Sequence, residues 1–320
     1  MLLASENHST YSNVSTSSYE LGRALRFWLF FGFDVSSIVC SILVLYYLLM
    51  ERALRQALHN HVSILMLLFN FVYQMIDIPL HLQYLHTGIV RPATPTLCLI
   101  WWFIDWGFFF NDEILLLWAM IERHILIFHN ELIATRRRRL LIHYFPISMI
   151  VLLVMMFYIV AIFAPSCQNT FDYTMDLCGM YACYESVQFF ATVEQLGFGT
   201  IGMSLIAMFS IALLVRVIWQ KYQIHRHIRW QQQWKITVNL VCISLLYLCS
   251  CFPLGIINLI WLYAQPNFAN EIVPTYFFVS YFPIFLLPFV CLGTVPKLWN
   301  KVKKHDPRQR RRIMAIISQS

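Results

Sequence analysis

Seven stretches of this chain, roughly 27–50, 62–84, 97–128, 141–164, 187–218, 236–264 and 272–296, stay mostly apolar over the length a helix needs to cross a bilayer, about 20 residues. In hydrocarbon every backbone polar group must be satisfied within the protein, and a lone run of this length achieves that only as a helix. Composition agrees: 59% of the residues are hydrophobic and 12% charged, well outside the balance of a soluble domain. The expectation is an all-α membrane protein, a single bundle of seven helices with its termini on opposite sides.

Orientation follows from the basic residues, which accumulate in cytoplasmic loops. With the C-terminus inside and the N-terminus outside, 20 of the 23 Lys and Arg residues fall on the cytoplasmic side, and Arg23, Arg26 and Arg91 do not. The net charge of +7 is therefore a topology signal, and runs such as Arg136 to Arg139 are expected to face anionic lipid rather than nucleic acid. Residues 1–24 form an expected extracellular tail with sequons at Asn7 and Asn13, residues 25–304 the membrane domain, and residues 305–320 a short basic cytoplasmic tail. "MLLASENHST" has no apolar core of signal-peptide length, so the first helix is expected to direct insertion into the plasma membrane.

Of nine cysteines, Cys98, Cys167, Cys178 and Cys183 lie on the exterior side, three of them in the one long connection, 165–186. Four thiols in an oxidising compartment suggest two disulfides, with three pairings open. Prolines at 79, 146, 253, 283 and 288 are expected to kink their helices. Gly197, Gly199 and Gly202 would let the fifth helix approach a neighbour closely.

The third run carries the most charge. Cys98, Asp105, Asp112 and Arg123 follow one another at 7, 7 and 11 residues, which at about 100° per residue places them on one stripe. Turned towards lipid, each charge would cost several kcal/mol, so the stripe should face the interior. The run closes on Glu122-Arg123-His124.

These residues resemble the rhodopsin-like G-protein-coupled receptors, which place an acid-Arg-aromatic triplet at the inner end of helix three and a disulfide cysteine 25 residues before its arginine, as Cys98 stands before Arg123. "SCFPLG" is similar to that family's Cys-Trp-x-Pro, keeping Pro253 with Cys251 in place of Trp; "LPFVC" is similar to Asn-Pro-x-x-Tyr, keeping Pro288. "VPKLWNKVKK" resembles the short amphipathic helix that follows helix seven. The resemblance implies a receptor that binds an extracellular ligand and activates a heterotrimeric G-protein. Glu122 would restrain Arg123, which meets the G-protein on activation beside His124. Gln233 replaces the acid that often holds this arginine from helix six, which implies substantial ligand-independent signalling.

By the same resemblance Asp105 and Tyr281 stand where amine and some peptide receptors bind a ligand cation, with Cys251, Leu254 and Gly255 in place of the usual aromatic cage. A competing expectation is that Asp105 is satisfied by Tyr281 or water alone. No cofactor is implied, although Asp112 with Asn70 opposite could hold Na⁺; the competing expectation is a protonated acid in a hydrogen-bond network. The resemblance favours Cys98–Cys183 with Cys167–Cys178, and leaves Cys98–Cys178 as an alternative.

Residues 272–296 contain no lysine, which excludes a retinal pigment. An enzyme is not expected: His59 and His61 fall on the opposite side of the membrane from His81 and His86, so the pairs cannot share one metal. The principal rival is a transporter, for which Asp34, Asp77, Asp105, Asp112, Glu113 and Glu194 could form an ion or proton route.

Overall fold

The structure is a computed structural model that describes residues 3–128, 135–179, 182–223, 227–265, 268 and 271–293, with side chains described at all of these except 3–21, 53, 59, 128, 220–233, 235 and 236. The amphipathic segment 295–304, the tail 305–320, and the side chains of Asn7, Asn13 and Gln233 lie outside that description. The chain is an all-α, multi-pass membrane protein, with no strand among the described residues.

In chain order the long helices are α1 (Leu3–Met50), α2 (Leu58–Thr87), α3 (95–128), α4 (Arg136–Phe163), α5 (188–223), α6 (His227–Tyr263) and α7 (Val273–Leu292). Six of them are long and apolar enough to cross a membrane, starting with the Gly22–Met50 part of α1. The remaining one, α3, is unbroken, but Asp105, Asp112, Glu113, Glu122 and Arg123 make it too charged to qualify by composition. Its acids are tolerated because the helix is central: α3 packs against α2, α4, α5 and α6, and all four carboxylates are buried. The outer surface is the reverse, with large apolar side chains such as Trp28, Leu153, Met208 and Ile211 exposed, as suits a surface in contact with lipid.

Local sequence explains the ends and breaks that position the interior. Gly88 closes α2 in the left-handed conformation, at φ 75°. Thr94 caps α3 by accepting from the Leu97 amide, and Pro95 occupies its first turn, where a missing N–H is harmless. Pro253 lies inside α6 and Pro288 inside α7. Pro283 removes the amide that would bond Val279, and α7 divides into Val273–Ser280 and Phe282–Leu292 with Tyr281 at the break. Wider π-type turns occur at Phe103–Phe108 in α3 and Thr192–Gly202 in α5, each around a buried acid.

Candidate ligand site: an acidic cavity inside the bundle

The long connection folds inward over one end of the bundle, and its pairing differs from the favoured expectation. Cys98 bonds Cys178, and Cys167 bonds Cys183. The connection doubles back on itself, so the cysteine nearest α5 along the chain is not the one that reaches α3. The Asp172 amide donates to the Cys178 carbonyl, and Trp102 of α3 donates to the Leu177 carbonyl at 2.6 Å, which together bring Cys178 to Cys98. Cys183 is held near Cys167 by a hydrogen bond that its backbone N–H donates to Asn169 Oδ1 at 2.9 Å.

Beneath this connection lies a cavity with about 120 Å³ open to the centre of a water molecule, room for several waters or part of a small ligand. Its charged lining is of one sign: Asp105 and Glu113 from α3, Glu194 from α5 and Glu185 from the connection. Among the described residues no Lys, Arg or His lines it. The positions where an aromatic cage was missing in the sequence, Cys251, Leu254 and Gly255, do line the cavity, but Trp106, Phe109, Phe110 and Phe277 supply rings from α3 and α7 instead. Carboxylates beside aromatic faces suit a desolvated organic cation.

The four acids are held differently. Asp105 accepts from the hydroxyls of Tyr73 and Tyr281, the latter at 3.1 Å, so its satisfaction comes from two helices rather than from Tyr281 alone. Glu194 accepts from the Tyr184 hydroxyl at 2.7 Å. Glu185 keeps part of its surface open, yet burial, reinforced by the negative charge of Glu194, pushes its carboxyl well above the ordinary carboxylate range. Glu113 is fully buried and neither of its oxygens has a hydrogen-bond partner among the described residues. Gly202 makes room for it: a Cβ there would sit 3.0 Å from Glu113 Oε1. The close approach expected of the fifth-helix glycines is thus real at Gly202, whereas Gly197 has nothing within 4 Å.

At the opposite end of α3, Glu122 is engaged by a residue the sequence reading overlooked. His143 of α4 bonds Glu122 through Nδ1, and its Nε2 lies 2.8 Å from His61 Nδ1 of α2; His61 Nε2 in turn lies 2.8 Å from the Arg55 carbonyl. Three hydrogen bonds thus run in series from the Glu122 carboxylate through two imidazoles to the Arg55 carbonyl. His124 Nε2 faces the Phe209 carbonyl of α5 at 3.2 Å. Arg123 is half-buried beside these groups.

Asn70 donates to the Ile284 carbonyl at 2.8 Å. Its Oδ1 and Asp112 Oδ1 are each buried without a partner among the described residues.

No protein-family model matches this sequence, and no curated protein matches it significantly.

Proposed function

We propose that this chain is a G-protein-coupled receptor of the plasma membrane: seven helices, the N-terminus and disulfide-bonded connection outside, the C-terminus inside, and a small cationic molecule or basic peptide as ligand. One observation carries the reading. A cavity lined, among the described residues, by four carboxylates and no base opens under the connection, and the helix that supplies two of those acids carries Glu122-Arg123-His124 towards its far end. A cation entering the cavity meets Asp105 and Glu113 on α3, and any shift of that helix moves Arg123 relative to α4 and α5. Restraint at the inner end is divided, since Glu122 is bonded to His143. Arg123 is the G-protein contact in this reading, and Pro253 and Pro288 are the hinges of α6 and α7. Where Na⁺ occupies the oxygens of Asn70 and Asp112, it acts as an allosteric ion.

The test is a library of amines, basic peptides and matched anions, scored by nucleotide exchange on purified heterotrimers. Agonists should be cations, and each should lose potency in Asp105→Asn. Anionic agonists, or cationic ones indifferent to Asp105 and Glu113 alike, would overturn the ligand class. A transporter is the second reading, favoured by Asp34 and Asp112, buried acids with an unpartnered oxygen that lie outside the cavity lining. Cation-driven flux in proteoliposomes without any exchange activity would replace the receptor reading with it.

A further inference from the structure

Beside the cavity, α2 and the connection add a group of side chains that the ligand reading does not use. Asp77 and His81 stand one turn apart on α2, both buried, and face Asp105 of α3. One oxygen or ring nitrogen from each of the three lies within 4.8 Å of the others. Asp77 Oδ1 accepts from the Trp101 indole at 2.7 Å, whereas its Oδ2, 3.5 Å from His81 Nε2, is buried with no hydrogen-bond partner among the described residues. His81 Nδ1 is committed to Asp176 of the connection at 2.9 Å.

We infer that Asp77, His81 and Asp105 form a binding site for a first-row divalent cation, Zn²⁺ by preference. The donor set is one imidazole and two carboxylates, which Zn²⁺ accepts in a four-coordinate site with one position left for water or ligand. Ca²⁺ and Mg²⁺ demand more oxygens than these three side chains supply. Asp176 takes the role of the outer carboxylate that fixes a metal-bound histidine: by accepting from Nδ1–H it turns the Nε2 lone pair towards Asp77 and Asp105. Ligand atoms of a tetrahedral zinc stand roughly 3.4 Å apart; Asp77 Oδ2 and His81 Nε2 already stand at 3.5 Å, and no pair of the three exceeds 4.8 Å, so only a small closure of the side chains seats the ion. Tyr281, now 2.7 Å from His81 Nε2, then keeps its bond to Asp105.

The charge balance favours occupancy. The charged groups acting on Asp77 are His81, Asp105 and Asp176, so that with Asp77 itself three carboxylates stand against one imidazole, with no Lys or Arg among them. The site shares Asp105 with the cavity, so a bound metal and a ligand ammonium exclude one another there. The inference holds whether or not the protein couples to a G-protein.

The experiment uses the full chain in lipid nanodiscs and ZnCl₂ alone. Titration calorimetry is expected to show one ion bound per chain, undisturbed by excess Mg²⁺ and Ca²⁺, and zinc-edge X-ray absorption a shell of nitrogen and oxygen including one imidazole. His81→Ala and Asp77→Asn should weaken binding at least tenfold, and Asp176→Asn, at a partly exposed loop position, about tenfold. His86→Ala should bind as wild type does. No saturable binding, a sulfur-containing shell that places the ion on the free cysteines, or unchanged affinity in Asp176→Asn and His81→Ala together would overturn the site.

Discussion

Glu113 is the residue whose chemistry most needs a partner. A fully buried carboxylate with two idle oxygens is unfavourable in a bundle core unless it is protonated or meets a cation. Glu113→Gln is therefore expected to leave folding intact or improve it while weakening a cationic agonist by about 1.5–3 kcal/mol, the worth of a charge-assisted bond, as measured by competition binding. A second prediction concerns pH. Glu185 holds its proton to higher pH than a free glutamate, and a cation pairs with its ionised form. Affinity for a quaternary ammonium should rise with pH through the titration of Glu185 and level off above it, with a shallower slope in Glu185→Gln. An affinity independent of pH in the wild type would remove Glu185 from the site. At this scale the sequence was partly readable: Asp105, Tyr281 and Cys251 do line one cavity. Asp77 and His81 were each visible in the sequence, in separate roles. Their engagement with Asp176 was not, because it depends on how a connection of some twenty residues folds inward.

Among the elements, α3 and the connection matter most. Cys98–Cys178 ties Leu177 and Asp176 to the head of α3, so Cys178→Ser should lower thermal stability by about 2–5 kcal/mol and reduce cation affinity at once. Differential scanning fluorimetry beside ligand binding checks both; loss of stability with affinity unchanged would show that the connection only braces the fold. On α5, Gly202→Ala should force Glu113 to move by a few tenths of an ångström and alter ligand affinity, whereas Gly197→Ala should do neither. Helix positions were legible from the apolar runs alone, because hydrocarbon leaves the backbone no alternative. The disulfide pairing was not, since four cysteines in sequence carry no record of the turn that Asp172 and Cys178 make. The π-type turns around Asp105 and Glu194 were equally hidden, as ordinary helical spacing predicts only a regular stripe.

For the whole molecule, the proposal links a cation cavity under the connection to a charged triplet at the far end of the same helix. The Glu122–His143–His61 chain holds that end to α4 and α2. His143→Ala removes the bridge and should raise ligand-independent exchange, while Arg123→Ala should abolish it. Basal nucleotide exchange on a panel of purified heterotrimeric G-proteins, with wild type, His143→Ala and Arg123→Ala compared in nanodiscs, is the most direct measurement. The expected order is His143→Ala above wild type above Arg123→Ala on at least one heterotrimer. Exchange at the level of empty nanodiscs for wild type and His143→Ala alike, with both proteins folded by independent measurement, would contradict the coupling of α3 to a G-protein.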